Sequence, residues 1–135
     1  MPKIRPLNSK KYNISKHKFL ELYHFCMQYQ EWKEELKSNV STVKSIQISD
    51  MPISHSYQDQ TAKLAERRIK LREKCELIEQ TAIEADAELY EWILEGVTKD
   101  YATYNYLKMS RGIPCGKKMY YDRRKKFYYL LSLKI

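Results

Sequence analysis

The segment from Cys115 to Leu131, CGKKMYYDRRKKFYYLL, carries six basic side chains and five aromatic rings within seventeen residues. Lysine and arginine form charge-assisted hydrogen bonds with phosphate oxygens, and exposed rings can stack on nucleobases. Three interpretations are open for such a segment. It is a helix that contacts DNA, a basic face that lies on an anionic membrane, or a solvated surface without a partner.

No other set of residues has the types and spacing of a catalytic or metal-binding site. Cys26, Cys75 and Cys115 are far apart and lack ligand spacing, so we expect free thiols in a reducing compartment. The three histidines form no recognisable ligand set, and the sequence has no glycine-rich phosphate loop or nucleophile elbow. We therefore expect no enzyme activity, no cofactor and no metal.

Charge is distributed unevenly along the chain, whose formal net charge is +8. Residues 99–135 hold ten basic and two acidic side chains, whereas residues 84–98 hold five acidic and no basic ones. A local positive field favours polyanions such as nucleic acid. The acidic stretch is either a paired-carboxylate metal site or, as we favour, an outward acidic face that pairs with the basic segment in the same chain or repels DNA from that side.

Hydrophobic periodicity predicts an all-α protein. Residues 1–14 are predicted to form a flexible lead. Ser15 is a candidate N-cap for a helix from about 16 to 37, in which apolar residues recur at helical spacing. Residues 38–58, rich in serine and β-branched residues, are predicted to form a linker or ordered loop.

A second helical region is predicted over about 60–95, with Asp59 as its cap. Apolar or small residues recur there at steps that alternate between four and three, which is typical of a heptad seam. The seam consists of Leu64, Leu71, Cys75, Ile78, Ala82, Ala85, Leu89 and Trp92, interrupted once by Arg68. The long helices are expected to form a helical hairpin or coiled-coil-like arrangement within the chain, the favoured alternative, or a homodimer through the seam. A break is expected near 84–86, where the charge changes sign.

The last third of the chain has the pattern of a helix-turn-helix. Gly96 is a candidate C-cap, and a short helix is predicted over 101–110 with Tyr104, Leu107 and Met109 inward. Gly112 ends this short helix and Pro114 prevents it from continuing, so RGIP forms a turn. A basic helix then opens at position 115 or 116 and runs to about Ser132. In this motif the first helix holds the second at a fixed angle, and the second enters the major groove.

Helical spacing divides the basic helix into two faces. The inner face is predicted to hold Met119, Tyr120, Phe127, Leu130 and Leu131, with the aliphatic stem of Arg123. The outward face, which also includes Tyr128, is predicted to contact DNA. Its candidates for base edges are Lys117, Lys118, Tyr121 and Asp122. Its candidates for phosphate contacts are Arg124 and Lys125, joined by Arg111 from the turn.

Residues 106–131, YLKMSRGIPCGKKMYYDRRKKFYYLL, resemble the C-terminal helix-turn-helix of phage and prophage late-gene transcriptional regulators of the ArpU and RinA type. Those regulators in turn resemble region four of bacterial sigma factors. The likeness spans about 84–132. The matching residues are Gly112, Ile113, Pro114, Cys115, Met119, Tyr120, Arg123, Arg124, Lys125, Leu130 and Leu131. Cys115 departs from the serine or threonine cap usual in the family, and Pro114 is uncommon there.

The resemblance implies a phage-type DNA-binding transcriptional regulator in the cytoplasm of a bacterial host. It would bind double-stranded DNA through the C-terminal basic helix, would not be an enzyme or contact a membrane, and could contact RNA polymerase. Residues 15–83 would then form a helical packing or oligomerisation region and 84–135 the DNA-binding region. Two alternatives stay open: a DNA-packaging component similar to small terminase subunits, and a helical protein-interaction module that uses the heptad seam.

Overall fold

The computed structural model describes residues 12–47 and 55–135, with side chains for 12–38 and 59–135. Within these ranges the chain forms six helices and no strand, which confirms the prediction of an all-α protein. Most of the predicted flexible lead and residues 48–54 lie outside the described residues. The helices are α1 (Lys16–Met27), α2 (Tyr29–Gln47), α3 (His55–Ala85), α4 (Tyr90–Thr98), α5 (Tyr104–Arg111) and α6 (Lys117–Lys134).

The helix predicted over 16–37 is two helices, which are separated by a turn at Gln28. Ser15 caps α1 as expected, since its Oγ accepts the backbone N–H of Lys18 at 3.2 Å. At Gln28 the backbone N–H donates to the carbonyl of Phe25, three residues back, at 3.3 Å. Across this junction the rings of Phe25 and Trp32 pack edge to face at 5.1 Å.

The predicted loop over 38–58 is wrong for the part that the structure describes. Helix α2 continues to Gln47, and α3 begins at His55, ahead of the predicted cap Asp59. The two helices pack as a helical hairpin, in which Arg67 Nε and Nη2 bind the Glu35 carboxylate at 2.7 and 3.1 Å. Serine and β-branched residues disfavour a helix only weakly, so packing against a neighbouring helix outweighs that preference.

The heptad seam is buried inside the chain. Helix α3 packs against α2, α4 and α6, which shows that the intrachain alternative is the right one for the seam from 71 to 89. The seam residues from 71 to 89 are therefore covered within the chain, and nothing supports a homodimer through the 64–92 seam, which stays a prediction. Those seam residues, each at most 4% exposed, are Leu71, Cys75, Ile78, Ala82, Ala85 and Leu89.

The break predicted near 84–86 is confirmed, since α3 ends at Ala85 and α4 begins at Tyr90. Asp86 organises the turn, because its Oδ1 accepts the backbone N–H groups of Glu88 at 2.9 Å and Leu89 at 3.0 Å. An aspartate before a helix commonly satisfies N–H groups in this way.

Gly96 is predicted to be a helix C-cap, and this prediction is wrong. It is an interior residue of α4 that is buried against α6. Helix α4 continues to Thr98, with Lys99 as its C-cap. A Cβ at position 96 would overlap the hydroxyl of Tyr120 and lie 3.2 Å from its Cζ. Glycine is present here because the Tyr120 ring approaches the α4 backbone closely.

Helix α6 is part of the core, packing against α1, α3 and α4. Tyr120, Phe127 and Leu131 are buried as predicted. Two predictions for this helix are wrong, since Met119 is 44% exposed and Tyr128 is fully buried. The physical reason is α1, whose Phe19 ring meets Tyr128 edge-on at 4.9 Å and draws that side of α6 inward. The hydrophobic core therefore includes residues from both of the predicted regions, 15–83 and 84–135.

Candidate nucleic-acid interface

Capping residues that adjoin helix α5 in the sequence set both of its ends. The Thr103 side chain accepts the backbone N–H of Tyr106 at 3.3 Å and caps the N-terminus, so α5 begins at Tyr104, three residues later than predicted. Gly112 ends it with φ +63°, in the left-handed region that favours glycine. Leu107 is buried and Tyr104 half-buried as predicted, but Met109 is 86% exposed.

The turn between α5 and α6 is fixed by three side chains. Ile113 is buried, and its N–H donates to the Leu107 carbonyl at 3.1 Å. Tyr104 donates its hydroxyl to the carbonyl of Cys115 at 2.7 Å, and Trp92 donates its indole N–H to the carbonyl of Arg111 at 3.0 Å. Gly116 then caps α6 without a side-chain hydrogen bond, consistent with the predicted start of the helix. The beginning of α6 is thus held in one position relative to α4 and α5.

Three of the five acidic residues in 84–98 pair with basic residues of the C-terminal segment, as the favoured interpretation expects. Glu84 binds Lys134 at 2.7 Å and Asp86 binds Arg123 Nε at 3.0 Å. Glu95 binds Arg111 Nε at 2.9 Å and is 3.6 Å from Lys99 Nζ. Among the described residues, no group of three or more histidine, cysteine or acidic side chains could hold a metal ion.

Arg124 is predicted to lie on the outward face, but it is half-buried and lies among aromatic rings. Its guanidinium carbon is 5.2 Å from the ring centroid of Tyr128 and 6.0 Å from those of Phe19 and Tyr121. The Tyr128 hydroxyl is buried and has no hydrogen-bond partner in the described part of the chain. Because the rings of two helices surround this cation, Arg124 joins α6 to α1, and these contacts compete with the predicted contact to a phosphate.

The remaining predicted contact residues differ in how far they reach solvent. Tyr121 is half-buried, with its ring 5.2 Å from that of Tyr120. Asp122 has a half-exposed side chain, and its Oδ2 accepts a hydrogen bond from Arg123 Nη1 at 3.0 Å. Arg111 is half-exposed while it pairs with Glu95, and its guanidinium lies 5.7 Å from the Tyr106 ring centroid.

Five lysines of α5 and α6 have neither an ion pair nor a side-chain hydrogen bond within the described residues. Spacing of three and four residues places Lys118, Asp122, Lys125 and Lys126 on one side of α6. Lys108 and Lys126 are absent from the predicted contact set, although Lys126 follows Asp122 by one helical turn and could have been found from that spacing. The unpaired lysines, which we call the lysine face, are Lys108, Lys117, Lys118, Lys125 and Lys126.

No helix in the described ranges is long and apolar enough to cross a membrane. No protein-family model matches the chain, and no curated protein or solved structure is significantly similar to it. The function is therefore inferred from the charges and contacts of α5 and α6.

The Asp86–Arg123 pair makes stability depend on pH. Burial opposes ionisation of Asp86, but the N–H groups of Leu89 and Glu88 and the Arg123 guanidinium outweigh it and hold the pKa of the carboxyl below its usual value. A carboxyl with a lowered folded-state pKa stabilises the fold above its unfolded-state pKa, and this contribution is lost as the pH falls through the folded-state pKa. We expect Asp86→Asn to cost stability near neutral pH and to cost much less at a second pH that lies below the folded-state pKa of this carboxyl.

Urea unfolding of both proteins at the two pH values measures this difference. Asp100→Asn, which removes an exposed carboxylate after α4, is the matched control and should change stability little at either pH. An equal cost of Asp86→Asn at both pH values would contradict the role given to the Asp86 charge.

Proposed function

We propose that this chain is a DNA-binding transcriptional regulator that binds duplex DNA through the outward side of α6. The observation that carries the proposal is the lysine face, in which five cations have no ion pair or side-chain hydrogen bond within the described residues, although other basic residues of the same segment are paired. Unpaired lysines, three of which share one side of α6 by helical spacing, attract a polyanion and release its counterions on binding. The fixed turn before α6 supports the proposal, because it presents the helix in one orientation.

The burial of aromatic rings favours duplex DNA over a membrane or a single strand. Tyr120, Phe127 and Tyr128 are buried, so their rings cannot enter a lipid interface or stack on unpaired bases. In the first half of α6, Met119 is a large apolar side chain that is 44% exposed to solvent. What the outward side presents is mainly positive charge, which suits the phosphates that line both grooves of a duplex.

In the proposed binding mode, α5 holds α6 at the groove and the first turns of α6 lie against base edges. Lys117, Lys118 and Asp122 belong to those turns, whereas Lys125 and Lys126 lie further along the helix toward phosphates. Phosphate contacts supply most of the affinity and position the helix, and base-edge contacts supply the sequence preference.

A salt series of binding to duplex DNA tests the proposal. We expect the affinity of the wild-type chain to fall steeply as salt rises, and the double variant Lys125→Gln/Lys126→Gln to reduce the slope of log affinity against log salt by about two. The matched control is Lys63→Gln/Lys70→Gln, which removes the same charge from exposed positions of α3. Equal slopes for the two double variants, or no salt-dependent binding by the wild type, would overturn the proposal.

The transcriptional role is supported by the resemblance of residues 106–131 to phage late-gene regulators, and RNA polymerase is the further partner that this role implies. Genome-wide footprinting of the bound DNA tests it, with sites close to promoters as the expected result. Sites that cluster at a packaging origin, together with a solution mass of eight or more subunits, would instead support a DNA-packaging component.

A further inference from the structure

We infer that Asp122 is the specificity-determining residue of this interface and accepts a hydrogen bond from the amino group of a cytosine in the major groove. The inference rests on the proposed binding of duplex DNA and adds the base that α6 selects. It follows from three observations: the position of Asp122 among lysines, its fixed orientation, and the hydrogen-bonding capacity of a carboxylate.

The position of Asp122 is unfavourable for phosphate binding. It is one of two acidic residues in 99–135, and it lies on the same side of α6 as Lys118, Lys125 and Lys126. A carboxylate at this point repels every phosphate that the neighbouring lysines attract. To the extent that Arg123 leaves the charge of Asp122 uncompensated, the carboxylate lowers affinity for all sequences alike, unless a donor on the DNA matches it.

Asp122 is also oriented by other residues. Arg123 donates from Nη1 to Asp122 Oδ2 at 3.0 Å and from Nε to Asp86 Oδ2 at 3.0 Å. Asp86 is itself fixed by the backbone N–H groups that it accepts in the α3–α4 turn. An exposed aspartate could turn toward Lys126, one helical turn away, but no ion pair joins the two in the described residues. Arg123 is thus a positioning residue that aims the carboxylate, a requirement for reading a base edge.

The chemistry of the carboxylate selects among the four base edges. An ionised carboxylate only accepts hydrogen bonds. In the major groove guanine presents two acceptors and thymine an acceptor and a methyl group, so both disfavour it. Adenine places the N7 acceptor beside its amino donor, whereas cytosine offers the amino donor without that acceptor. Cytosine is therefore the edge that suits Asp122 best.

Selection from a pool of random duplexes tests the inference, with Asp122→Asn as the variant. We expect the wild type to enrich cytosine at one position and Asp122→Asn to shift that position toward adenine, which asparagine contacts through two hydrogen bonds. The variant should also bind random duplex roughly threefold or more tightly, because one repulsive charge is gone. An unchanged preference profile, or unchanged affinity for random duplex, would overturn the inference.

Two further variants test separately the local effect of the Asp122 charge and the positioning of Asp122 by Arg123. Asp100→Asn makes the same charge change away from α6, and an equal gain in affinity there would contradict the local role of Asp122. Arg123→Lys keeps the positive charge but cannot hold both carboxylates in a fork, so the cytosine preference should weaken while the salt slope stays the same. A melting curve confirms that each variant is folded. If the wild type shows no salt-dependent binding, the proposed function fails; if it binds but the profiles are identical, the role of Asp122 alone fails.

Discussion

Gly96→Ala is expected to lower the free energy of unfolding by about 2 kcal/mol, although alanine favours a helix interior over glycine by about 1 kcal/mol. The added Cβ would overlap the hydroxyl of Tyr120, whose ring is buried and cannot move away without displacing its neighbours. Burial also raises the pKa of the Tyr120 hydroxyl to about 12, so the group stays neutral over the working range. Chemical denaturation of the two proteins measures the loss.

The double variant Gly96→Ala/Tyr120→Phe is the decisive comparison. Removing the hydroxyl makes room for the new methyl group, so we expect most of the lost stability to return, and a strong coupling energy between the two positions. Gly116→Ala is the matched control, because a Cβ there meets no atom within 4 Å. Additive effects of the two changes would contradict the close approach of Tyr120 to α4.

Arg124→Met is expected to lower the free energy of unfolding by about 2 kcal/mol, because methionine fills the space without attracting the rings of Phe19, Tyr121 and Tyr128. Arg124→Ala should cost more, since it also leaves a cavity between α1 and α6. Thermal and urea unfolding measure both. Lys125→Met, which removes the neighbouring charge from the lysine face, should change stability by no more than about 0.5 kcal/mol.

The same variants distinguish a packing role for Arg124 from a DNA-contacting one. At a temperature where it is folded, Arg124→Met should keep the wild-type dependence of DNA binding on salt, whereas Lys125→Met should reduce the slope by about one. Unchanged stability together with a reduced slope for Arg124→Met would return this arginine to the set of phosphate ligands.

The features of the fold that the sequence predicts well are those determined by local chemistry. Ser15 caps α1 because its oxygen needs only the N–H group three residues on. Gly112 ends α5 because few other residues adopt its backbone conformation. The heptad seam of α3 is buried as its spacing indicates, since a continuous apolar stripe must be covered by something.

The predictions that are wrong depend on contacts with distant parts of the chain. Gly96 has the local sequence of a C-cap, and its role depends on the close approach of the Tyr120 ring, 24 residues later in the chain. Met119 and Tyr128 exchange their predicted environments because α1 covers one side of α6, and spacing alone does not reveal which side is covered. Helix α2 extends past its predicted end since packing against α3 outweighs weak propensities.

The candidate interface is predictable to a similar extent. Lys117, Lys118 and Asp122 are exposed as their spacing indicates, and Lys125 is half-buried without an ion pair in the described residues. Arg124 is different, because an arginine in a basic run looks like a phosphate ligand unless the position of Phe19, more than a hundred residues earlier, is known. The pairing of Arg111 and Arg123 with acidic residues likewise requires knowledge of how α6 lies against the α3–α4 turn and α4.

One side of helix α6 packs into the hydrophobic core and another is proposed to bind DNA, so folding and binding depend on the same helix. Phe127, Tyr128 and Leu131 complete the core on one side, while Lys125 and Lys126, which directly precede them in the sequence, lie on another side with Lys118. A fragment with residues 84–135 alone would expose those apolar side chains to water. Any polyanion that binds the folded chain more tightly than the unfolded one must stabilise α1, α3 and α4 along with α6. The whole helical unit, rather than its last helix, is therefore the smallest element on which a ligand can act.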